Sequence, residues 1–305
     1  MRTINLGAAG LKLPALAVGC MRINEIDKDK AGRFVKTALD LGANFFDHAD
    51  IYGKGACEKI FAEAIGMKAQ IREKIFIQSK CGIRPGSYDF SKEYILSSVD
   101  GSLKRLKTEY LDVLLLHRPD ALVEPEEVAE AFGILLETGK VRFFGVSNQN
   151  SMQIQLLARY VKQPIVANQL QMSITNCTMI SQGIHNNMQG DSAVQRDGNI
   201  LDFCRLNDIT IQCWSPFQYG FFRGTFLDNP EFPELNAKIN EIAKKYAVSN
   251  TAIALAWLLR HPAGLQPVTG TMNPKRLKDC VKATEITLTR EEWYAIFLAA
   301  GNDLP

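Results

Sequence analysis

The stretch "NFFDHADIYG", residues 44–53, runs from an apolar pair into an acidic cluster and ends beside a tyrosine, with Tyr52 five residues beyond Asp47. Its first part, "NFFD" (44–47), reads as a short buried strand, and an amphipathic helical pattern follows near 56–68. The same alternation recurs along the chain. "LAVG" (16–19) precedes a helical pattern near 28–41, "KIFIQSK" (74–80) one near 91–107, and "LDVLLLH" (111–117) one near 125–138. "VRFFGV" (141–146) precedes 150–162, "PIVANQ" (164–169) a long polar loop and then 198–207, "ITIQCW" (209–214) 235–247, and "LQPVTG" (265–270) 274–283. The strands are short and read as apolar on both faces, as buried parallel strands do. Gly42 and Gly139 fall just past helical patterns, where a left-handed C-cap is needed. Eight strand–helix units favour a closed (β/α)₈ TIM barrel over a doubly wound sheet. "INLGAAGLKL" (4–13) reads as an N-terminal β-hairpin outside the count, and "LTREEWYAIFLAAG" (288–301) as an extra C-terminal helix. No composition break divides the chain, so residues 1–305 read as one α/β domain.

Hydrophobic residues make up 46% of the chain, enough for a large core, and the formal net charge is +2 with no block of like charge. That argues against a nucleic-acid or membrane-surface partner. The seven cysteines are odd in number and include no CxxC, which reads as reduced thiols in a cytoplasmic protein. The four histidines show no HExxH spacing, so no metal site is expected. No apolar run reaches the length of a membrane span. Oligomeric state stays open.

In such a barrel the chemistry sits at the C-terminal ends of the strands. Asp47 ends the second strand, with Tyr52 in the loop beyond; Lys80 ends the third and His117 the fourth. Ser147 and Asn148 follow the fifth, Gln169 ends the sixth, and Trp214 and Ser215 close the seventh. The eighth leads to Thr271, Asn273 and Arg276. Core packing alone would not choose polar residues to close apolar strands on one rim. Other motifs fail. The first strand ends in "GCMRIN" rather than a GxGxxG turn. "YDFSK", Tyr88 to Lys92, matches a YxxxK pair but lacks the glycine-rich turn that should accompany it.

The ordered set "DHADIYG" (47–53), "SK" (79–80), "LLLHRPD" (114–120), "GVSN" (145–148) and "NQLQ" (168–171) resembles the aldo-keto reductase superfamily over essentially the whole chain. The resemblance implies a tetrad of Asp47, Tyr52, Lys80 and His117. Its chemistry is intelligible. Carbonyl reduction needs a hydride and a proton, and a phenol with a pKa near 10 is a poor donor at neutral pH. An adjacent ammonium favours the phenolate and lowers that pKa. Asp47 then holds Lys80 charged, Lys80 tunes Tyr52, Tyr52 is the general acid, and His117 orients the carbonyl oxygen.

The resemblance also implies NADPH (NADP+ in the reverse direction) as cofactor and a small-molecule carbonyl as substrate. Ser147, Asn148 and Gln169 match positions that hydrogen-bond the carboxamide. Trp214 takes the place of the ring-stacking aromatic, with Ser215 after it. Thr271 and Arg276 match positions that meet the 2′-phosphate, on a helix whose N-cap and first residue are Asn273 and Pro274. The chain departs from the family pattern at Gly270, where many members carry lysine, at Met272, and at His48, where a small residue is usual. Two alternatives stay open: a cofactor-binding regulatory protein of the same fold with little turnover, as potassium-channel β-subunits resemble these reductases, and a short-chain dehydrogenase using Tyr88 and Lys92.

Overall fold

The computed structural model describes residues 1–305. Strands β1 (Thr3–Asn5) and β2 (Lys12–Pro14) form an antiparallel hairpin. Then come β3 (Ala17–Gly19), β4 (Phe45–Asp47), β5 (Phe76–Cys81), a small hairpin of β6 (Ile83–Arg84) and β7 (Ser87–Tyr88), β8 (Leu111–Leu116), β9 (Val141–Ser147), β10 (Ile165–Gln171), β11 (Thr210–Trp214) and β12 (Gln266–Thr269). β3, β4, β5, β8, β9, β10, β11 and β12 pair in that order, all parallel, and β12 pairs back onto β3 to close the barrel. Helices α1 (Lys28–Asp40), α2 (Ala56–Ile65), α3 (Ala69–Arg72), α4 (Lys92–Leu106), α5 (Pro125–Glu137) and α6 (Ser151–Tyr160) connect the first strands. α7 (Thr178–Ile184) and α8 (Ile200–Leu206) follow β10, α9 (Pro233–Tyr246) and α10 (Asn250–Arg260) follow β11, α11 (Pro274–Lys282) follows β12, and α12 (Arg290–Ala299) ends the fold. The TIM-barrel expectation, the N-terminal hairpin and the extra C-terminal helix are all present. Gly42 and Gly139 hold the expected left-handed caps, with φ of 73° and 69°.

The pleat sorts each strand's side chains. In β4, Phe45 joins the apolar floor inside the barrel, while Phe46 faces out and packs on Phe61 of α2 with ring centroids 4.9 Å apart. Each such ring contributes roughly 1.5–3 kcal/mol through burial. Asp47 then faces in again. The floor is Phe45, Val113, Leu115, Val166 and Ala167, closed from below by Leu6 and Leu13 of the hairpin. The hairpin enters so closely that a Cβ on Gly7, whose φ is +47°, would lie 2.4 Å from the Val166 carbonyl oxygen; only glycine fits. Above this floor the interior is not apolar. Gln78, Gln212 and Gln266 point inward and are fully buried, so the strands differ from the all-apolar reading.

Two further features depart from the pattern read in the sequence, and a third closes one of the alternatives. α10 occupies 250–260, where no helix is expected; Ala252 to Leu259 are buried without interruption, so no amphipathic period marks it. The polar stretch 172–198 contains α7 and packs against the chain end through Ser181–Asn302 and His185–Asp303 contacts rather than lining the barrel mouth. Tyr88 lies exposed on the β6–β7 hairpin, and Lys92 pairs with Glu130 on the outer surface. With a closed barrel and that pair outside it, the short-chain dehydrogenase reading is overturned.

Candidate active site

β4 and β5 are neighbours with Asp47 opposite Gln78, so Lys80, two residues farther, shares the inward face just above Asp47. The loop after β4 turns back over the rim. The Asp50 N–H donates to the Lys80 carbonyl at 3.0 Å, and the Tyr52 N–H donates to Ala49 at 3.1 Å. The Asp50 carboxyl accepts from the Ser98 hydroxyl of α4, and burial pushes its pKa up to about 6. Asp50 thus ties the loop to α4. The left-handed Gly53 completes the turn that leaves the phenol over the barrel axis.

The Lys80 Nζ donates to both carboxylate oxygens of Asp47 at 2.8 Å and to the His48 carbonyl at 2.7 Å, and lies 3.2 Å from the Tyr52 hydroxyl. Burial alone would push the ammonium pKa down; Asp47 overrides it, and the net shift is upward, so Lys80 stays charged. Tyr52 differs from expectation. Burial raises its pKa above 10.0, and the attraction of Lys80 offsets only part of that rise. The phenol is therefore protonated throughout the neutral range. The His117 ring meets Tyr52 edge-on, centroids 5.9 Å apart. Burial, with repulsion from Lys80 and Arg118, drives its pKa well below 6.5, so the imidazole is neutral and has a proton to donate from one nitrogen only.

A polar spine supports this cluster. The Gln78 amide donates to Asp47 at 2.6 Å and to Gln212 at 2.9 Å; Gln212 donates to Gln266 at 3.0 Å, and Gln266 to the Pro14 carbonyl at 2.7 Å. Gln169 donates to Asp47 at 3.0 Å and Gln212 at 3.1 Å, so its amide nitrogen is committed inside the barrel and its Oε1 alone is left to face the groove. Sequence reading placed Gln169 at the rim and missed the spine beneath it. Glutamines in apolar runs were its only trace. His48, by contrast, faces out onto Phe61, ring centroids 4.6 Å apart, and does not line the groove.

Asp47, Tyr52 and His117 open onto a groove of about 1360 Å³ that also exposes Ser147, Asn148, Gln169, Trp214, Ser215, Thr271 and Arg276. All seven residues expected around a cofactor therefore share one surface. Asn148, at φ +57°, accepts from the Trp214 indole N–H at 3.1 Å and donates to Ser147 Oγ at 2.8 Å, which fixes both side chains relative to the indole. At the far end Asn273 caps α11, accepting from the N–H groups of Lys275 and Arg276, and the exposed Arg276 guanidinium has no protein partner. Arg22, unremarked in the sequence, reaches the same end: a Cβ on Gly270 would lie 3.8 Å from its Nη1. The charge that a lysine would bring at position 270 arrives from the β3–α1 loop instead.

The model of the aldo/keto reductase family matches residues 15–297. The uncharacterized oxidoreductase YcsN of Bacillus subtilis is 35% identical with all of both chains covered. A 6-dehydroglucose reductase of Novosphingobium aromaticivorans is 32% identical over 98% of this chain and 96% of its own. Among solved structures, the thermostable aldo-keto reductase Tm1743, determined with the inhibitor epalrestat, superposes with a TM-score of 0.79 at 28% identity, covering 98% of this chain and all of that one. An aldo-keto reductase of Bombyx mori in complex with NADP has the same fold, with a TM-score of 0.75 at 22% identity over 98% of this chain and 92% of its own.

Proposed function

The chain belongs to the aldo-keto reductase family of oxidoreductases, and on that premise we propose that it reduces aldehyde or ketone carbonyls to alcohols with NADPH, Tyr52 supplying the proton. The observation that carries this reading is the 3.2 Å approach of Lys80 Nζ to the Tyr52 hydroxyl, with Asp47 holding both lysine contacts from below. A substrate oxygen set between Tyr52 and the neutral His117 accepts two hydrogen bonds aimed where negative charge develops. Tyr52 gives up its proton as that charge forms, and the Lys80 ammonium stabilises the phenolate left behind.

NADPH, when bound, supplies the hydride. The groove residues fit it. Gln169 Oε1, Ser147 and Asn148 offer an acceptor and hydrogen-bonding groups for a carboxamide. Trp214 offers a flat face, and Arg22, Arg276 and the N-terminus of α11 offer positive charge for phosphates. The 6-dehydroglucose reductases among the relatives support a carbonyl substrate by their names.

The test is NADPH consumption with an activated aldehyde such as 4-nitrobenzaldehyde. Tyr52→Phe is expected to lower kcat about 10²–10⁴-fold while NADPH binding, read by protein fluorescence, is unchanged. A wild-type protein that binds NADPH but consumes none across a carbonyl panel would instead be a cofactor-binding regulator.

A further inference from the structure

Arg118 follows His117 directly and lines the groove beside Tyr52, His117 and Trp214. Its guanidinium carbon lies 5.7 Å from the Trp214 ring centroid and 5.9 Å from that of Phe221. Stacking on aromatic faces holds a guanidinium in place while leaving its in-plane N–H donors free. No protein group takes those donors. Arg72, Arg84, Arg105, Arg142 and Arg205 each meet a carboxylate, whereas Arg118, like Arg22, Arg33 and Arg276 elsewhere in the groove, has neither an ion-pair partner nor a side-chain hydrogen bond. The carboxylates nearest in sequence are occupied: Asp120 accepts from the Phe90 and Leu122 N–H groups. Asp47 is closed off by Lys80. The apolar Met21, Ile51 and Ile83 also line the groove.

An unpaired, half-buried cation next to the carbonyl position is costly unless a ligand completes it. We propose that Arg118 is a specificity residue selecting carbonyl substrates that carry a carboxylate, which it binds through its planar fork while Tyr52 and His117 hold the carbonyl oxygen. This rests on the reductase reading above. It narrows the substrate class from apolar aromatic carbonyls, which the aromatic mouth alone would suggest, to anionic ones.

The experiment compares 4-formylbenzoate with its neutral methyl ester in wild type, Arg118→Met and Arg118→Lys. Wild type is expected to favour the acid. Arg118→Met should raise KM for the acid about tenfold or more, with kcat little changed and the ester's KM unmoved. Arg118→Lys should restore part of the loss, as a retained point charge does. Equal losses on acid and ester, no preference in wild type, or preference for a neutral polyhydroxy aldehyde such as glyceraldehyde would overturn the proposal. If wild type consumes NADPH with neither aldehyde, the reductase reading fails by itself. Arg118 is then judged by calorimetric binding of 4-(hydroxymethyl)benzoate to the protein with NADP+ present: about tenfold weaker binding to Arg118→Met supports the proposal, and equal binding overturns it.

Discussion

A phenol gives a proton to a substrate only if it holds one at the working pH. Burial keeps the Tyr52 proton in place above pH 10.0, and Lys80 limits how far that shift goes. The protonated phenol is the form reduction needs, so kcat/KM for reduction should be level from about pH 7 to 9, above the Asp50 titration, and fall only above the raised phenol pKa. The neutral His117, with its pKa well below 6.5, adds no break in that window. The reverse reaction needs the phenolate, so alcohol oxidation should climb with pH across the same range. Lys80→Met removes the attraction that lowers the phenol pKa. It should cost about 10²-fold or more in both directions and move the alkaline limb of the oxidation profile to higher pH. A limb that stays in place would show that Lys80 does not tune the tyrosine. Asp47, Lys80 and His117 stood out in the sequence because each closes an apolar strand; Tyr52, in the loop beyond Asp47, was singled out by the family resemblance. The direction of the tyrosine shift was not, since it depends on how deeply the loop is buried, and spacing carries no measure of depth.

At the scale of elements, α11 joins its own cap to an unpaired cation on the groove. Asn273 accepts from the backbone N–H groups of Lys275 and Arg276, leaving the Arg276 side chain free over the groove. Arg276→Leu should raise KM for NADPH about tenfold or more and leave KM for NADH within about twofold, because only the former carries a 2′-phosphate. Equal effects on both cofactors would place Arg276 elsewhere. α11 was readable from Asn273 and Pro274, which mark a helix start in any context. α10 was not, because a helix wrapped on all sides by α9, α11 and β12 has no polar face to set a period. Strands fared likewise. Their apolar runs fixed position and order, but the inward glutamines make sense only once opposite sides of the barrel meet at the axis, as Gln78 and Gln212 do.

Barrels of this kind divide their labour by end, with chemistry at the C-terminal ends of the strands and stability at the other, and this one is expected to do the same. At the lower rim Arg72, 4% exposed, donates to Asp112 at 2.6 Å and to the carbonyls of Ile75 and Tyr110 at 2.8 and 3.1 Å. Asp112 also accepts from the Ile77 N–H at 2.8 Å and from Arg142 at 3.1 Å, so one carboxylate ties β5, β8 and β9 together. Arg72 and Arg142 lie 3.7 and 3.9 Å from the Tyr110 ring centroid. Removing Arg72 leaves Asp112 buried with only the half-exposed Arg142 to balance it. Arg72→Met should therefore lower stability by about 3–5 kcal/mol, read as a lower urea midpoint at unchanged slope. Arg72→Met/Asp112→Asn should recover part of that loss, since the amide keeps an acceptor for the Ile77 N–H and removes the stranded charge. At a temperature where Arg72→Met is still folded, its kcat/KM should stay within about twofold of wild type, because distant sites act independently. A variant of unchanged stability but depressed kcat/KM would mean that the lower rim shapes the site, and the division by ends would not hold for this barrel.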